Sequence, residues 1–147
     1  MQNIGFIGTG LMGFPMAKNI LKAGYKVRAF NRSKNKAEPL KDFGAEISNS
    51  IRELVKESHV VITMLTNDDA VNEVLGSDEF LNNLKPNSTV IDMSSVKQTT
   101  AVNHGKNLKS RKINYLDAPV SGGTIGAEEA SLAIMIGGEQ IVFESVK

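Results

Sequence analysis

Short β-branched apolar runs alternate along this chain with longer stretches whose apolar residues recur at helical spacing. "IGFIG" (Ile4–Gly8) predicts a buried strand. From Leu11 to Ala23 the apolar positions Leu11, Met12, Met16, Ile20 and Leu21 fall on one helical face, and Gly24 supplies the usual C-terminal stop. "KVRAF" (Lys26–Phe30) predicts a second strand, and "KAEPLKDFG" a short helix closed by Gly44. Ser50-Ile-Arg-Glu53 is a capping box that starts the helix "IRELVKE". "HVVITML" (His59–Leu65) predicts a third strand and "DDAVNEVLG" a helix. "STVIDMS" (Ser88–Ser94) predicts a fourth strand after the turn Lys85-Pro86-Asn87. A helix over "KQTTAVNHGKNLKS" follows. Then come strands over "INYLD" (Ile113–Asp117) and "LAIMIGG" (Leu132–Gly138), and a last helix over "EQIVFESVK".

The predicted strands are nearly continuous apolar runs, as expected of strands covered on both faces. Their alternation with helices implies right-handed crossovers. The fold class is therefore α/β: a Rossmann-type, doubly wound, mainly parallel sheet with helices on both faces. Residues 1–147 read as one domain, with no internal repeat, low-complexity tract or linker.

The remaining composition narrows the partners. The formal net charge is +1, and the densest basic patch, "KSRK" at Lys109–Lys112, reads as a solvated helix end rather than a nucleic-acid footprint. There is no cysteine, which rules out disulfides and thiolate metal sites. "MQNIGFIG" lacks the basic start and cleavable apolar stretch of a signal peptide, and no apolar run approaches the roughly 18 residues of a membrane helix. These features predict a cytoplasmic protein without a nucleic-acid or membrane partner and without a metal.

The chemistry begins at Gly8-x-Gly10-x-x-Gly13, between the first strand and the first helix. In that context Gly8 permits a tight turn, Gly10 lets a pyrophosphate approach the backbone, and Gly13 lets helix and strand pack closely. The helix N-terminus offers free amides and a partial positive charge to phosphates. The end of the second strand selects the nucleotide. NAD-binding folds usually place a carboxylate there to accept from the ribose 2′-hydroxyl. This chain has Asn31, Arg32 and Ser33 instead, and the nearest carboxylate is Glu38. Arg32 can clamp a 2′-phosphate and Asn31 and Ser33 can hydrogen-bond it, which predicts NADP ahead of NAD. Further on, "DAPVSGG" follows a strand and precedes the helix-like "TIGAEEA". The Ser121 hydroxyl and the amides of Gly122 and Gly123 form either a small anion cradle or a capped Pro/Gly loop.

"GFIGTGLMGFPMAKNI" together with "DAPVSGGTIGAEEASLAIMIGG" resembles the 3-hydroxyisobutyrate dehydrogenase family of β-hydroxyacid dehydrogenases, over essentially the whole chain. That group includes tartronate semialdehyde and glyoxylate/succinic semialdehyde reductases. The resemblance implies an N-terminal dinucleotide-binding domain followed by an all-helical domain that also builds a homo-oligomer. It implies hydride transfer between NAD(P) and a small β-hydroxyacid or semialdehyde. Carried over, Ile7, Gly8, Thr9, Gly10, Leu11, Met12 and Gly13 hold the pyrophosphate. Asn31, Arg32 and Ser33 match the NADP-using members. Met64 and Leu65 lie along the adenosine ribose toward the nicotinamide. Ser95 matches a Thr near the nicotinamide ribose, and Ser121, Gly122 and Gly123 match the substrate-carboxylate site.

One departure limits this. The family's general acid–base is a lysine in a later Gly-x-x-Gly-x-x-x-Lys segment, which residues 1–147 do not contain; Lys147 follows Gly137-Gly138 at the wrong spacing. His59 and His104 read as structural or solvent-facing. The expectation is an inactive cofactor domain, truncated before the interdomain helix and without the all-helical domain or a catalytic residue of its own. Apolar surface should then be exposed near Val142, Phe143 and Val146. Two other readings stand beside it. One is an NADP(H)-binding module that never catalyses. The other is a 6-phosphogluconate dehydrogenase-like enzyme, which usually has Gly-x-Ala-x-x-Gly at the first turn and acidic residues after Ser-Gly-Gly.

Overall fold

The computed structural model describes residues 2–147. Strand β1 (Asn3–Ile7) pairs in parallel on both sides, with β2 (Lys26–Phe30) and β4 (Val60–Thr63). With β3 (Glu46–Ile47), β5 (Thr89–Asp92) and β6 (Asn114–Asp117) they form a six-stranded sheet in the order β3-β2-β1-β4-β5-β6. Every pairing in it is parallel, so each crossover passes over a face of the sheet. The period of two along β1 sends neighbours to opposite layers. Phe6 packs with Met16 and Ala17 of α1 (Gly13–Lys22), whereas Ile7 packs with Leu54 and Val55 of α2 (Ile51–Lys56). The second layer is completed by α3 (Asp68–Leu75), α4 (Asp78–Leu81) and α5 (Gln98–Ser110), through Leu75, Phe80 and Leu108.

Caps fix the helix starts as their sequences require. The Ser50 hydroxyl accepts from the Glu53 amide at 3.1 Å, although Glu53 reaches back to the Asn49 amide rather than to that of Ser50. Asn67 and Ser77 cap α3 and α4 in the same way, at 2.9 and 3.2 Å.

Four local expectations change. Residues 36–44 do not form an α-helix. Two 3-10 turns, Lys34–Lys36 and Glu38–Phe43, replace it, with bonds such as Ala37 N to Lys34 O and Leu40 N to Ala37 O. The two-residue edge strand β3 and the single-turn α4 carry too little pattern to be seen in sequence. The run Leu132–Gly138 does not add a parallel strand. Only β8 (Ala133–Ile134) forms, antiparallel to β7 (Val120–Ser121), with one further bridge between Asp117 and Gly137. The intervening element is α6 (Gly123–Glu129). Finally, Val142 is buried, and Phe143 and Val146 are half-buried, because α7 (Gln140–Val146) turns that face inward. In this C-terminal part the exposed apolar side chains include Ile134, Met135, Ile136 and Ile141 instead. Among the described residues no helix is long and apolar enough to cross a membrane.

Two predictions follow from this packing. Leu54 is fully buried, and Leu54→Ala should cost about 2–5 kcal/mol in urea unfolding without changing the far-ultraviolet spectrum. Asp68 Oδ2 accepts from Thr100 Oγ1 at 2.6 Å and from the Lys97 amide at 3.0 Å, which ties α3 to the start of α5. The Thr100 bond first, and then the Lys97 amide, hold its carboxyl below the usual value of 3.8. A depressed carboxyl stabilises the fold above its unfolded value, and that stability is lost as pH falls through the folded one. The stability advantage of wild type over Asp68→Asn should therefore be present at pH 7 and vanish under acid, read by thermal melts across that range.

Candidate functional site

β1 and β4 are sequence-distant neighbours whose crossovers leave to opposite faces, so a crevice opens at their carboxyl ends. The glycine turn occupies that crevice. Gly8 has φ +101°, and a Cβ there would overlap the Met64 carbonyl oxygen. A Cβ on Gly13 would overlap the Gly8 carbonyl oxygen. Packing therefore demands both glycines. Gly10 differs: its φ is not positive, and a Cβ there would meet no protein atom within 4 Å. The fold has no need of a glycine at this point, but a ligand lying against the backbone does. The Gly8 amide is already spent on the Phe30 carbonyl, and that of Thr9 on Asn31. Among the described residues the amides of Gly10, Leu11 and Met12 donate to no protein acceptor. They stand at the N-terminus of α1, where such amides attract anions.

A cleft of about 470 Å³ runs from this turn. It brings together Ile7, Gly8, Gly10, Asn31, Arg32 and Ser33, and on the opposite side Met64 and Leu65. The other residues singled out from the sequence lie outside its lining. Thr9 is buried, and its hydroxyl donates to the Lys36 carbonyl at 3.0 Å. Leu11 is exposed, Met12 packs against the core, and Gly13 is held against Gly8. Ser95 is exposed, one residue beyond the buried Ser94. Ser121, Gly122 and Gly123 are exposed between β7 and α6, with φ of +142° and +62° at the glycines. Asn19 of α1 ties this segment to the nucleotide side by donating to the Ala127 carbonyl at 2.6 Å.

The structure adds three features that the spacing did not reveal. Asn31 is a strut: its Oδ1 accepts from Thr9 N at 2.9 Å, and its Nδ2 donates to Ser33 O at 3.1 Å. It thereby fixes the loop after β2 to the glycine turn. Lys36 lines the cleft beside Arg32 and Ser33, carried there by the 3-10 turn. Asp92, buried at the end of β5, accepts from Thr63 Oγ1 at 2.8 Å and from Ser94 N at 3.2 Å. Ser94 in turn accepts from the Leu65 amide at 2.8 Å, so this network sets the loop that closes the cleft. Burial pushes the Asp92 carboxyl up from 3.8, and its bonds to Ser94 and Thr63 oppose that. The histidines are tied into the scaffold. His59 Nδ1 accepts from Asn3 N at 3.0 Å, and His104 Nε2 bonds Asn72 Oδ1 at 2.7 Å.

A larger groove of about 760 Å³ lies at the β6 edge, between α5 and α7. Size alone would favour it. None of the open amides of the glycine turn reaches it, and its Lys109 is already paired with Glu139 at 2.9 Å. The smaller cleft is the one whose donors fit a dinucleotide.

Comparison with known proteins agrees with this geometry. Residues 3–147 match the family model described as the NAD binding domain of 6-phosphogluconate dehydrogenase. An uncharacterized oxidoreductase of Bacillus subtilis is 42% identical over 145 residues, 98% of this chain and 50% of that protein. A probable mitochondrial 3-hydroxyisobutyrate dehydrogenase of Dictyostelium discoideum is 37% identical over 147 residues, 99% of this chain and 46% of that protein. The solved structure of Mycobacterium tuberculosis 3-hydroxyisobutyrate dehydrogenase with L-serine superposes with a TM-score of 0.95 at 35% identity, covering 100% of this chain and 50% of that one. The chain thus spans about half the length of the relatives it matches. It belongs to the family of the NAD binding domain of 6-phosphogluconate dehydrogenase, and within it resembles the 3-hydroxyisobutyrate dehydrogenases.

Proposed function

We propose that this chain is the cofactor-binding part of an NADP-dependent oxidoreductase acting on a small β-hydroxyacid or its semialdehyde. The observation that carries the reading is Gly10, a glycine with open space where its side chain would be, at the head of a cleft that also holds Arg32, Ser33 and Lys36. In this reading the free amides at the start of α1 take the pyrophosphate. Arg32, Ser33 and Lys36 take the 2′-phosphate, with Asn31 holding their loop in place. Met64 and Leu65 flank the ribose and nicotinamide, with Ser95 beyond them. When bound, the nicotinamide supplies or accepts the hydride.

Ser121, Gly122 and Gly123 are read as the cradle for the substrate carboxylate. Chemistry supports that class of substrate. The Dictyostelium relative is named for 3-hydroxyisobutyrate and the tuberculosis structure contains L-serine, and both molecules carry a hydroxyl on the carbon β to a carboxylate. A cradle that grips the carboxylate presents that carbinol carbon at a fixed distance. Residues 1–147 offer no lysine in the pattern that the resemblance assigns to proton transfer. The reading assigns to these residues cofactor binding and substrate orientation.

Calorimetric titration with NADPH and NADH tests it. NADPH should bind more tightly than NADH. Arg32→Ala should weaken NADPH about tenfold and leave NADH within twofold. A wild-type preference for NADH, or an Arg32→Ala variant with unchanged NADPH affinity, overturns the phosphate clamp. Two glycines separate binding from folding. Gly10→Ala should weaken both dinucleotides at least tenfold while changing stability by less than about 1 kcal/mol. Gly13→Ala should instead lower the thermal midpoint, because its methyl has nowhere to go.

A further inference from the structure

We propose that Glu73 is a specificity-determining residue whose carboxylate competes with the cofactor's 2′-phosphate for Arg32. The inference rests on the cofactor-site reading above and deepens it. Glu73 stands on the exposed side of α3, and its Oε1 lies 3.8 Å from Arg32 Nη1. Arg32 comes from the loop after β2, so the two residues face each other across the mouth of one cleft.

The pair is built to exchange partners. The side chains are 88 and 69% exposed, and 3.8 Å is too long for a well-formed N–H···O bond. Arg28, on the same strand-and-loop segment, shows what a committed arginine looks like. Its side chain is 24% exposed and is held at 2.6 Å by Glu46 and at 3.1 Å by Glu53. Arg32 is held by nothing comparable, so an incoming phosphate can take it.

The charges around that mouth decide between ribose substituents. Arg32 and Lys36 supply two cations, and Glu73 and Glu79 two carboxylates. Glu79 is partly occupied, accepting from the Arg52 amide at 3.1 Å. Glu73 has no partner but Arg32 among the bonds of the described residues. A 2′-phosphate brings nearly two negative charges to this mouth. Arg32 and Lys36 attract it, while Glu73 repels it and must release Arg32. A free 2′-hydroxyl carries no charge and can donate to the Glu73 carboxylate. Glu73 therefore penalises the phosphorylated cofactor and not the unphosphorylated one. The chain discriminates less sharply than its Arg-Ser-Lys loop alone would.

The test uses this chain with NADPH and NADH as probes in calorimetric titrations of wild type, Glu73→Gln, Arg32→Ala and the double variant. Glutamine keeps the size and helical preference of an exposed glutamate, so the fold is not at risk. In Glu73→Gln, NADPH affinity should rise about three- to fivefold, as for release of an exposed ion pair, while NADH stays level or weakens. That gain should shrink at about 0.5 M salt and largely disappear in the Arg32→Ala background. An unchanged NADPH-to-NADH ratio overturns the proposal, and so does a common shift of both cofactors, which marks a merely structural residue. A full gain without Arg32 overturns the competition for it. A wild-type chain that binds neither dinucleotide overturns the cofactor-site reading itself and this inference with it.

Discussion

The contact between the end of β1 and the start of α1 governs everything built at this site. The Gly8 carbonyl lies where a Gly13 side chain would be, and the Met64 carbonyl lies where a Gly8 side chain would be. Three backbone segments meet there with no side chain between them. Such contact is possible only for glycine, and interiors packed to crystal density leave no room to relax around a methyl. Because α1 starts hard against the sheet, Gly10 at its head lines the cleft, and the amides of Gly10, Leu11 and Met12 have no protein acceptor among the described residues. The group of open amides is thus a by-product of how closely strand and helix approach.

From that contact the site spreads through hydrogen bonds rather than apolar packing. Asn31 joins the glycine turn to the loop after β2, and the Thr9 hydroxyl joins it to Lys36. The loop after β2 and the glycine turn are therefore held together by these bonds. On the other wall, Asp92, Thr63 and Ser94 fix the Met64–Leu65 loop through the Leu65 amide. A buried carboxylate is costly to keep, and its raised protonation range shows the cost. Its Oδ1 alone accepts both bonds, from Thr63 Oγ1 and Ser94 N, and so joins the ends of two adjacent strands.

The charges at the cleft mouth are a different kind of constraint. They are exposed and loosely paired, so they add little to the stability of the fold, and the proposal gives them selection among ligands. Arg28 is bound by two glutamates at the sheet edge; Arg32, a few residues on, is exposed at the cleft and only loosely paired with Glu73.

Much of this was legible along the chain. Unbroken apolar runs such as Val60–Thr63 specify strands buried on both faces, and the three glycines locate the turn between a strand and a helix. The sequence also determined that no carboxylate follows β2 directly, because that depends on residue identity alone. The tertiary structure alone decided what each residue touches. Asn31 looks like a ligand for phosphate in sequence and is a strut in space. Glu73 lies on a helix some forty residues beyond Arg32 and meets it only because α3 packs beside the loop after β2. The run Leu132–Gly138 has the composition of a sheet strand, but only Ala133–Ile134 pairs, antiparallel to β7, and Ile134, Met135 and Ile136 are left exposed. The physical reason is the same in each case. Periodicity and residue type act locally and can be read locally, whereas pairing partners and exposure depend on which distant segments the crossovers bring together.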